Sequence, residues 1–400
     1  MKIVVFGGTA HSTPALWSYL TNETPVHGIH MVLAARDVKR VEACVRACRL
    51  LAGEGANRIS GVAITGACGW EFLEGADLVL IQIRNGGYKG RSFDEQFPLQ
   101  YGIPGDEGLG PGGLSAGVRN WPVVRDVLKQ LSSFAPSAFV LILSSPVGLL
   151  VRAAKQEFPS IRLAGICELP WTTLLETCRA AGCVAEDAQF DYFGINHLGW
   201  LYGVVSELGP IAGSVPLKYR RLDDDQGNVV QEQQRAADRP RGAVLEEISR
   251  HAFATYVNGD GGDVRRFLEM RPTPWYRYGV GPFIAGMAGW PIRTSFFLSV
   301  PNDGFDAVFA DDDVLEYAHF FQGNAAPRRK VRSQSVPKEF LDATSLFVEY
   351  ERFGTVALLK RDFGHIHQAL SAHPWVKSSE VARDLAADIV RFSSQVVRSA

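Results

Sequence analysis

The sequence has no apolar run long enough to cross a bilayer, no internal repeat and no low-complexity tract. A membrane-spanning helix needs about 20 apolar residues in succession, and none of the 400 residues lies in such a run. Residues 2–6 have the pattern of a strand, not that of a basic and apolar secretory signal. We therefore expect a cytoplasmic protein that does not associate with a membrane.

Excess charge and abundant cysteine are missing as well. The 41 Lys and Arg residues balance 43 Asp and Glu residues to a net charge of -2, which argues against nucleic acid as a partner. Six irregularly spaced cysteines are too few for a disulfide framework, so we expect reduced thiols and a chemical role for any special one. They are Cys44, Cys48, Cys68, Cys167, Cys178 and Cys183.

What the sequence does contain is an alternation of short apolar runs and helical stretches in its first half. Strands are predicted at 2–6, 30–34, 77–83 and 138–143, with helices at 37–52 and 122–133 between them. This order is typical of an α/β fold with a Rossmann-type, doubly wound parallel sheet. Further helices are predicted at 243–256, 336–353 and 375–396, and the polar segment 217–242 is predicted to be a mobile excursion.

A glycine turn follows the first predicted strand. Backbone N–H groups of such a turn can approach a pyrophosphate, but the pattern is not a clean G-x-G-x-x-G, so a plain tight turn is an equal alternative. The turn residues are Gly7, Gly8, Thr9, Ala10, His11 and Ser12.

The end of the second strand carries Arg36 and Asp37 where an acidic residue usually binds the adenosine ribose. Arg36 would neutralise a 2′-phosphate, which keeps NADP open beside NAD; a solvated arginine is the other interpretation. Asp37 is also placed to cap the following helix.

Several separated stretches resemble, in order and spacing, those of glycoside hydrolase family 4, of which the chain looks like a divergent member. The stretches are 83–87, 91–99, 101–107, 110–113, 166–170, 194–200 and 300–304, within a resemblance that runs from residue 1 to about 330. That family is related in fold to lactate and malate dehydrogenases. It includes 6-phospho-glucosidases, α-galactosidases and α-glucuronidases, and it uses NAD and usually a divalent metal such as Mn²⁺.

The resemblance implies a redox route to glycoside cleavage. The C3 hydroxyl is oxidised to a ketone, the C2 proton is removed, the C1 substituent is eliminated, water adds and the hydride returns. It also implies an NAD-binding domain at 1–195 and an α+β substrate-binding and oligomerisation domain at 196–400. A homodimer or homotetramer is expected by analogy, with the helices of 336–396 as an interface.

The resemblance also assigns roles to individual residues. Cys167 and His197 fall on the metal-ligand positions, and a thiolate with an imidazole suits Mn, Fe, Co, Ni or Zn. Asn196 is expected to contact substrate, Arg91 to bind an anionic group of it, and Glu107 to lie near the metal and the leaving group. Ile83 joins the cofactor-binding set, while Asp94 and Glu95 are expected to orient Arg91.

Each of these roles has a plainer alternative. Cys167 taken alone is a small buried hydrophobic residue, and Asn196 taken alone is a turn former. Arg91 and Glu107 could form an ordinary surface ion pair.

The chain departs from the family pattern at three places. Glu168 replaces an asparagine that holds a 6-phosphate, so we expect a substrate that is not 6-phosphorylated, because two anions repel; Glu168 then binds sugar hydroxyls or pairs with Arg91. Ser145 replaces a sugar-binding asparagine. Trp275 stands where the base tyrosine is expected, so Tyr276 or Tyr278 would have to act, with a pKa lowered by the metal or by Arg277.

Three functions follow as alternatives. The first is an NAD-dependent, metal-assisted glycosidase for an unphosphorylated or carboxylated glycoside. The second is an NAD(P)-dependent oxidoreductase, epimerase or dehydratase acting on a sugar, cyclitol or nucleoside without hydrolysis. The third is a dinucleotide-binding module without catalysis, against which the retention of Cys167 and His197 argues.

Overall fold

The structure, a computed structural model, describes residues 1–52, 56–65, 69–206, 209–210, 215–216, 240–270, 274–292, 295–321, 327–333 and 335–399. Its strands are β1 (Lys2–Phe6), β2 (His30–Ala35), β3 (Arg58–Ala63), β4 (Leu78–Ile81), β5 (Phe139–Ile142), β6 (Arg162–Ile166), β7 (Gln189–Ile195), β8 (Leu198–Ser206), β9 (Gly209–Pro210), β10 (Val215–Pro216), β11 (Phe296–Pro301), β12 (Val314–Phe320) and β13 (Arg328–Arg329).

The α-helices of the described residues divide between the two halves of the chain. They are α1 (Thr13–Ser18), α2 (Val38–Leu51), α3 (Gly87–Gln96), α4 (Pro111–Phe134), α5 (Val147–Glu157), α6 (Leu169–Ala181), α7 (Arg241–Asn258), α8 (Gly261–Glu269), α9 (Pro274–Tyr278), α10 (Val280–Met287), α11 (Lys338–Lys360), α12 (Phe363–Ser371) and α13 (Ser379–Ser399).

One continuous sheet organises these elements. Its strand order is β10-β8-β7-β12-β11-β6-β5-β4-β1-β2-β3, with β13 beside β12 and β9 beside β8. The six strands from β3 to β6 are parallel, which is the doubly wound arrangement that the sequence predicts, so the predicted fold class is confirmed. The strands beyond β6 pair antiparallel. The predicted boundary at 195/196 falls in the turn between the paired strands β7 and β8, and the division into two domains stays a prediction.

Alternate residues of the parallel strands face two separate cores. Val4, Val79 and Val140 pack on one face, and Ile3 and Leu78 pack on the other, all at most 1% exposed. Burying each such side chain contributes about 1.5–3 kcal/mol. Helices cover both faces, so the strands read as continuous apolar runs.

The predicted helices are present with shifted bounds. Asp37 caps α2 as expected, because its carboxylate accepts a hydrogen bond from the Arg40 amide at 3.1 Å. The helix predicted at 122–133 is only the second half of α4, which starts at Pro111 and contains Pro122. Because a proline is common in the first turn of a helix, Pro122 suggests a helix start that is too late in the sequence. The predicted helix at 375–396 starts at Ser379.

Two predictions fall partly outside the described residues. Most of the polar segment predicted to be mobile, 217–239, lies there, and α7 begins at Arg241. Cys68 lies there too, while the five described cysteines are free thiols. None of the helices in the described part of the chain is long and apolar enough to cross a membrane.

Candidate active site

The predicted cofactor turn lies at the carboxyl end of β1, beside the end of β4. Gly7 has φ +75°, and a Cβ atom there would lie 2.7 Å from the Gln82 carbonyl oxygen. A Cβ atom on Gly8 would lie 2.9 Å from the Leu33 backbone. Both positions therefore require glycine, because the turn is pressed against two neighbouring strands. Strands β1 and β4 start opposite wings of the sheet, and the crevice between such strands is where doubly wound folds bind ligands.

His11 at this turn reaches across that crevice. Its Nδ1 atom lies 3.2 Å from the hydroxyl of Tyr88, which is the second residue of α3 after β4.

Cys167 and His197, the predicted metal ligands, meet in space although 30 residues separate them in sequence. Cys167 follows β6 directly, and His197 lies in the turn between β7 and β8. A hydrogen bond joins the His197 ring to the Cys167 thiol. On its other side, His197 Nδ1 lies 3.3 Å from Asp106 Oδ1.

Asp106 is held by the glycine-rich segment that contains it. Its Oδ2 atom accepts hydrogen bonds from the amides of Gly108 and Leu109 at 3.0 and 2.6 Å. A Cβ atom on Gly108 would lie 2.3 Å from the His197 ring, so only glycine lets the segment approach the imidazole. Burial alone would lower the pKa of His197, but Asp106 and Cys167 raise it.

The backbone of His197 is itself unusual. Its φ is 67°, in the left-handed region, which costs a residue other than glycine about 1–3 kcal/mol. The tight turn between the paired ends of β7 and β8 holds it there. Such strain is characteristic of functional positions.

These residues fit a divalent metal ion. A metal-ligating histidine usually gives its second ring nitrogen to a carboxylate, as His197 does with Asp106, which leaves Nε2 and the Cys167 sulfur as donors. Among the described residues no group of three or more His, Cys, Asp or Glu side chains is arranged as a metal site. The pair would therefore leave most coordination positions to water and substrate, as in a catalytic site.

Two arginines and two glutamates form what we call the arginine cluster: Arg84, Arg91, Glu95 and Glu107. Glu107 forms ion pairs with Arg84 and, at 2.6 Å, with Arg91, and Arg91 Nε donates to Glu95 at 2.8 Å. Burial alone would raise the pKa of Glu107, but Arg84 and Arg91 lower it to about 2. The side chains of Arg91 and Glu107 are only 12% and 9% exposed, so the ordinary surface ion pair is excluded as a description of them.

Of the two residues predicted to orient Arg91, Glu95 and Asp94, only Glu95 contacts it in the structure. Glu95 does hold Arg91, and its other oxygen accepts from the Gly242 amide at the start of α7 at 2.9 Å. The expectation for Asp94 is wrong, because its carboxylate forms a bidentate ion pair with Arg119 instead, at 2.9 and 2.5 Å. The reason is helical geometry, since Arg91 and Glu95 are four residues apart on one face of α3, whereas Asp94 faces α4.

A second group, which we call the Glu316 cluster, contains Tyr192, Asn196, Ser299 and Glu316. Glu316 is fully buried in β12 and accepts hydrogen bonds from the Tyr192 hydroxyl at 2.5 Å, the Asn196 amide at 3.2 Å and the Ser299 hydroxyl at 3.3 Å. Burial raises the pKa of Glu316, and the three donors oppose that shift.

The two candidate base tyrosines are engaged elsewhere. Tyr276 is 2% exposed, and its hydroxyl donates to Ser12 Oγ at 3.1 Å. Burial raises the pKa of Tyr276, and a lowering by a bound metal stays a prediction. The Tyr278 hydroxyl donates to Glu186 at 3.0 Å, and burial and Glu186 raise its pKa.

Arg277 forms an exposed ion pair with Glu23 at 2.6 Å. It is not among the groups that shift the pKa of Tyr276. The side chain of Trp275 lies outside the part of the chain that the structure describes.

The remaining predicted residues lie along the same edge of the sheet. Arg36 is exposed after β2, and the Asp37 carboxylate is used in capping α2. The Ile83 carbonyl accepts from the Ser144 hydroxyl at 2.8 Å, and the Ser145 carbonyl accepts from the Asn120 amide at 2.7 Å. Glu168 interacts electrostatically with Tyr276.

Hydrogen bonds, ion pairs, electrostatic interactions and adjacency in the sequence link a set of side chains that we call the ring. In order, the ring contains His11, Tyr88, Arg91, Glu107, Asp106, His197, Cys167, Glu168, Tyr276 and Ser12. The fold and this ring define a Rossmann-type α/β protein with a site at the carboxyl edge of its parallel strands.

Comparison with known proteins finds a family match over the first part of the chain. The family model described as "Family 4 glycosyl hydrolase" matches residues 2–180, which confirms the resemblance that the sequence motifs indicated. The 6-phospho-alpha-glucosidase 1 of Lacticaseibacillus paracasei is 32% identical over 174 residues, 43% of this chain and 39% of that protein. The maltose-6'-phosphate glucosidase of Bacillus subtilis is 29% identical over 212 residues, 52% of this chain and 46% of that protein. The matched stretches therefore span less than half of these relatives.

Solved structures agree on the fold over the whole chain. The 6-phospho-beta glucosidase from Thermotoga maritima, solved with NAD and glucose-6-phosphate, has a TM-score of 0.82 at 21% identity and covers 99% of both chains. Malate dehydrogenase from Plasmodium falciparum has a TM-score of 0.51 at 14% identity, covering 90% of this chain and 99% of that one. The predicted relation to lactate and malate dehydrogenases is confirmed at the level of the fold.

Several contributors to the site, among them Asp106, Arg84 and Glu316, had no role in the sequence-based prediction. Asp106 and Arg84 lie in stretches that carry the family resemblance, but the predicted roles fell on their neighbours Glu107 and Ile83. Glu316 is a single charged residue inside an apolar strand, between Leu315 and Tyr317. A lone carboxylate in such a strand is a usable signal, because charged residues are seldom buried without a partner.

Proposed function

We propose that the protein is a glycosidase that depends on NAD and a divalent metal, most simply Mn²⁺, and that acts on a glycoside without a 6-phosphate. The observation that carries the proposal is the meeting of Cys167 and His197, oriented by Asp106, at the sheet edge that also bears the glycine turn. A module that only bound a dinucleotide would have no use for this pair. Solved relatives in the family contain NAD, manganese and glucose-6-phosphate.

Each group has a place among the residues of the ring. The turn from Gly7 to Ser12 would hold the NAD pyrophosphate, and Cys167 and His197 would hold the metal. When bound, NAD supplies a hydride acceptor and donor for the C3 carbon, and the metal supplies a Lewis acid for the neighbouring sugar oxygens. Asn196 and Glu168 would bind sugar hydroxyls. Arg36 at the end of β2 keeps NADP as the alternative cofactor.

Charge supports a substrate without a phosphate. Within the arginine cluster, Arg84 and Arg91 are matched by Glu95 and Glu107, and Glu107 is ionised because its pKa is lowered to about 2. Asp106 adds negative charge beside this neutral cluster, and Glu168 adds a further carboxylate near Tyr276 in the ring. The described residues of the site therefore offer no surplus positive charge to a dianionic phosphate. In this respect the proposed substrate differs from those of the relatives that are named 6-phosphoglucosidases.

The state of the tyrosines favours a second candidate function. C2 deprotonation needs a base, and burial raises the pKa of both Tyr276 and Tyr278. An NAD(P)-dependent oxidoreductase, epimerase or dehydratase for a sugar, cyclitol or nucleoside would use the same ring without breaking a glycosidic bond.

Proton NMR in D₂O separates these functions. The protein, NAD, Mn²⁺ and a thiol reductant are mixed with 4-nitrophenyl glycosides, each with and without a 6-phosphate. Release of an unphosphorylated sugar with deuterium at C2 is the expected result. Cleavage of 6-phosphorylated glycosides alone would contradict the substrate assignment. NADH formation without cleavage would establish the oxidoreductase instead.

Two organisational proposals accompany this function. Residues 1–195 would form the NAD-binding domain and 196–400 the substrate-binding domain, and the chain would assemble as a homodimer or homotetramer. Sedimentation velocity of the purified protein tests the assembly, and a single monomeric species would contradict it.

A further inference from the structure

The side-chain carbonyl of Asn196 lacks a hydrogen-bond partner among the described residues. Asn196 is 3% exposed, its amide nitrogen donates to Glu316 Oε1 at 3.2 Å, and its Oδ1 atom is buried without a partner in that part of the chain. Leaving a buried acceptor unpaired is unfavourable, because the group loses its hydrogen bonds to water without replacing them. Asn196 is also the neighbour of His197 in the turn between β7 and β8, so this carbonyl belongs to the proposed sugar-binding site.

Glu316 determines which end of the Asn196 amide meets the site. The Glu316 carboxylate is surrounded by donors: it receives the hydroxyls of Tyr192 and Ser299, and the Asn196 nitrogen lies 3.2 Å from its Oε1 atom. Its contact with Asn196 must therefore be made by the NH₂ group. Reversing the amide would place Oδ1 against the carboxylate and set two repelling acceptors together in a buried position.

We infer that Glu316 is a positioning residue that fixes the Asn196 carbonyl as an acceptor for one hydroxyl group of the substrate. The inference rests on the proposed function and adds a substrate requirement to it. At one ring position the sugar must carry a free hydroxyl that donates, because a deoxy or O-methyl sugar leaves Oδ1 unpaired.

The requirement can be measured on the wild-type protein. The probes are the 4-nitrophenyl hexopyranoside that the wild type cleaves and its 2-, 3-, 4- and 6-deoxy and O-methyl analogues. Binding is measured with Mn²⁺ and NAD omitted, so that neither C3 oxidation nor metal coordination contributes. A site built to bind a hydroxyl rejects an analogue without it strongly, so we expect one position at which both replacements raise the dissociation constant by at least about 100-fold. Equal tolerance at all positions overturns the inference.

Exchanging the two side-chain groups tests the role of Glu316 itself. In Glu316→Gln, the new amide can donate to Asn196 and turn its NH₂ group toward the substrate, so KM should rise by about 10- to 100-fold. In Asn196→Asp, two carboxylates face each other and binding should also weaken.

The double variant Glu316→Gln with Asn196→Asp restores the original polarity. The new amide at position 316 donates to the new carboxylate at position 196 and accepts from Tyr192, while the Ser299 hydroxyl can rotate to accept. The carboxylate at position 196 again presents an acceptor to the substrate. We expect KM to return to within about 10-fold of the wild type. A merely structural role for Glu316 predicts instead that the two losses add.

Two further readouts keep the outcomes distinct. Binding of Mn²⁺ and of NAD should stay within about threefold in all three variants, which also shows that they fold. A wild type that neither binds nor cleaves any sugar overturns the proposed function and this inference together. A functional wild type with no recovery in the double variant overturns this inference alone.

Discussion

The arginine cluster and the Glu316 cluster each bury a glutamate, but they hold it in opposite ways. Two guanidinium groups hold Glu107 and lower its pKa to about 2, whereas Glu316 is held by neutral hydroxyl and amide donors and its pKa is raised. The first arrangement neutralises charge around a fixed anion. The second uses the carboxylate to orient polar groups, so burial of a carboxylate alone does not reveal its role.

The proposed metal ligands connect the two clusters, because His197 adjoins Asn196 in sequence and lies 3.3 Å from Asp106, the neighbour of Glu107. Cys167→Ser should therefore give the largest effect, a loss of glycoside cleavage of about 1000-fold, since a bound metal contributes several kcal/mol to transition-state stabilisation. Mn²⁺ binding followed by calorimetry should weaken while NAD binding persists. Cys183→Ser, a change to another partly buried thiol, serves as the control. Unchanged Mn²⁺ affinity in Cys167→Ser would remove Cys167 from the metal site.

The contrast between the two glutamates should appear in stability. Glu107→Gln breaks a buried, doubly paired carboxylate, and we expect a loss of about 3 kcal/mol in the free energy of unfolding at pH 7. The folded pKa of about 2 lies below the unfolded value of about 4.5. This contribution is therefore complete above about pH 4.5 and is lost as the pH falls towards about 2.

Urea unfolding of the wild type and the variant at about pH 7, 4.5 and 3 measures this difference. Glu316→Gln is the matched comparison, and its trend should be opposite, because a raised folded pKa penalises the wild type increasingly as the pH rises above the unfolded value. Parallel pH profiles for the two variants would refute the distinction between the clusters.

Asp106→Asn should have an intermediate effect. It keeps both proposed metal ligands but removes the carboxylate that orients His197, and such a change typically lowers metal affinity by about 10- to 100-fold. Titration with Mn²⁺, followed by its paramagnetic resonance signal, measures the affinity. Asp94→Asn, whose carboxylate pairs with Arg119 away from the His197 ring, is a control for general loss of stability. Equal Mn²⁺ affinity in the wild type and Asp106→Asn would argue against the orienting role.

Glu168→Asn should shift the substrate preference. Removing this carboxylate from the proposed sugar-binding site lowers the repulsion of a phosphate, and we expect the ratio of kcat/KM for 6-phosphorylated to unphosphorylated aryl glycosides to rise about 10-fold. Glu168→Gln separates the loss of charge from the change of length. A ratio that stays constant in both variants would show that Glu168 does not select against the phosphate.

Tyr276→Phe should have the smallest effect. It removes one hydrogen bond to Ser12 in the cofactor turn, so NAD affinity should fall about 3- to 10-fold, with deuterium exchange at C2 retained. Tyr278→Phe, which alters a contact with Glu186, should change neither quantity. Complete loss of C2 exchange with normal NAD binding in Tyr276→Phe would instead identify Tyr276 as the base.

Local patterns in the sequence predicted much of the fold. Alternating apolar runs predicted β1, β2, β4 and β5, and the Asp37 cap predicted the start of α2. The antiparallel strands β7, β8, β11 and β12 were not predicted, because several of their pairings join residues far apart in the chain, such as Gly194 with Glu316. A pairing of that separation leaves no periodic signal within a short window of sequence.

The candidate site was also predicted only in part. The family motifs indicated Cys167, His197, Arg91 and Glu107, and the structure brings them into one ring. The motifs did not indicate the anchoring of His197 by Asp106 or of Asn196 by Glu316. They also suggested a lowered pKa for Tyr276, which depends on neighbours that only the folded chain supplies.

By itself, the sequence predicted the doubly wound sheet and contained the glycine turn and the candidate side chains for a metal and a sugar. Apolar spacing, capping residues and donor chemistry act over a few neighbouring residues and can be seen in one dimension. Only the tertiary structure decided which carboxylate is neutralised, which one orients an amide and which tyrosine is buried. Those properties depend on solvent exclusion and on hydrogen-bond partners that distant segments contribute when the strands pair.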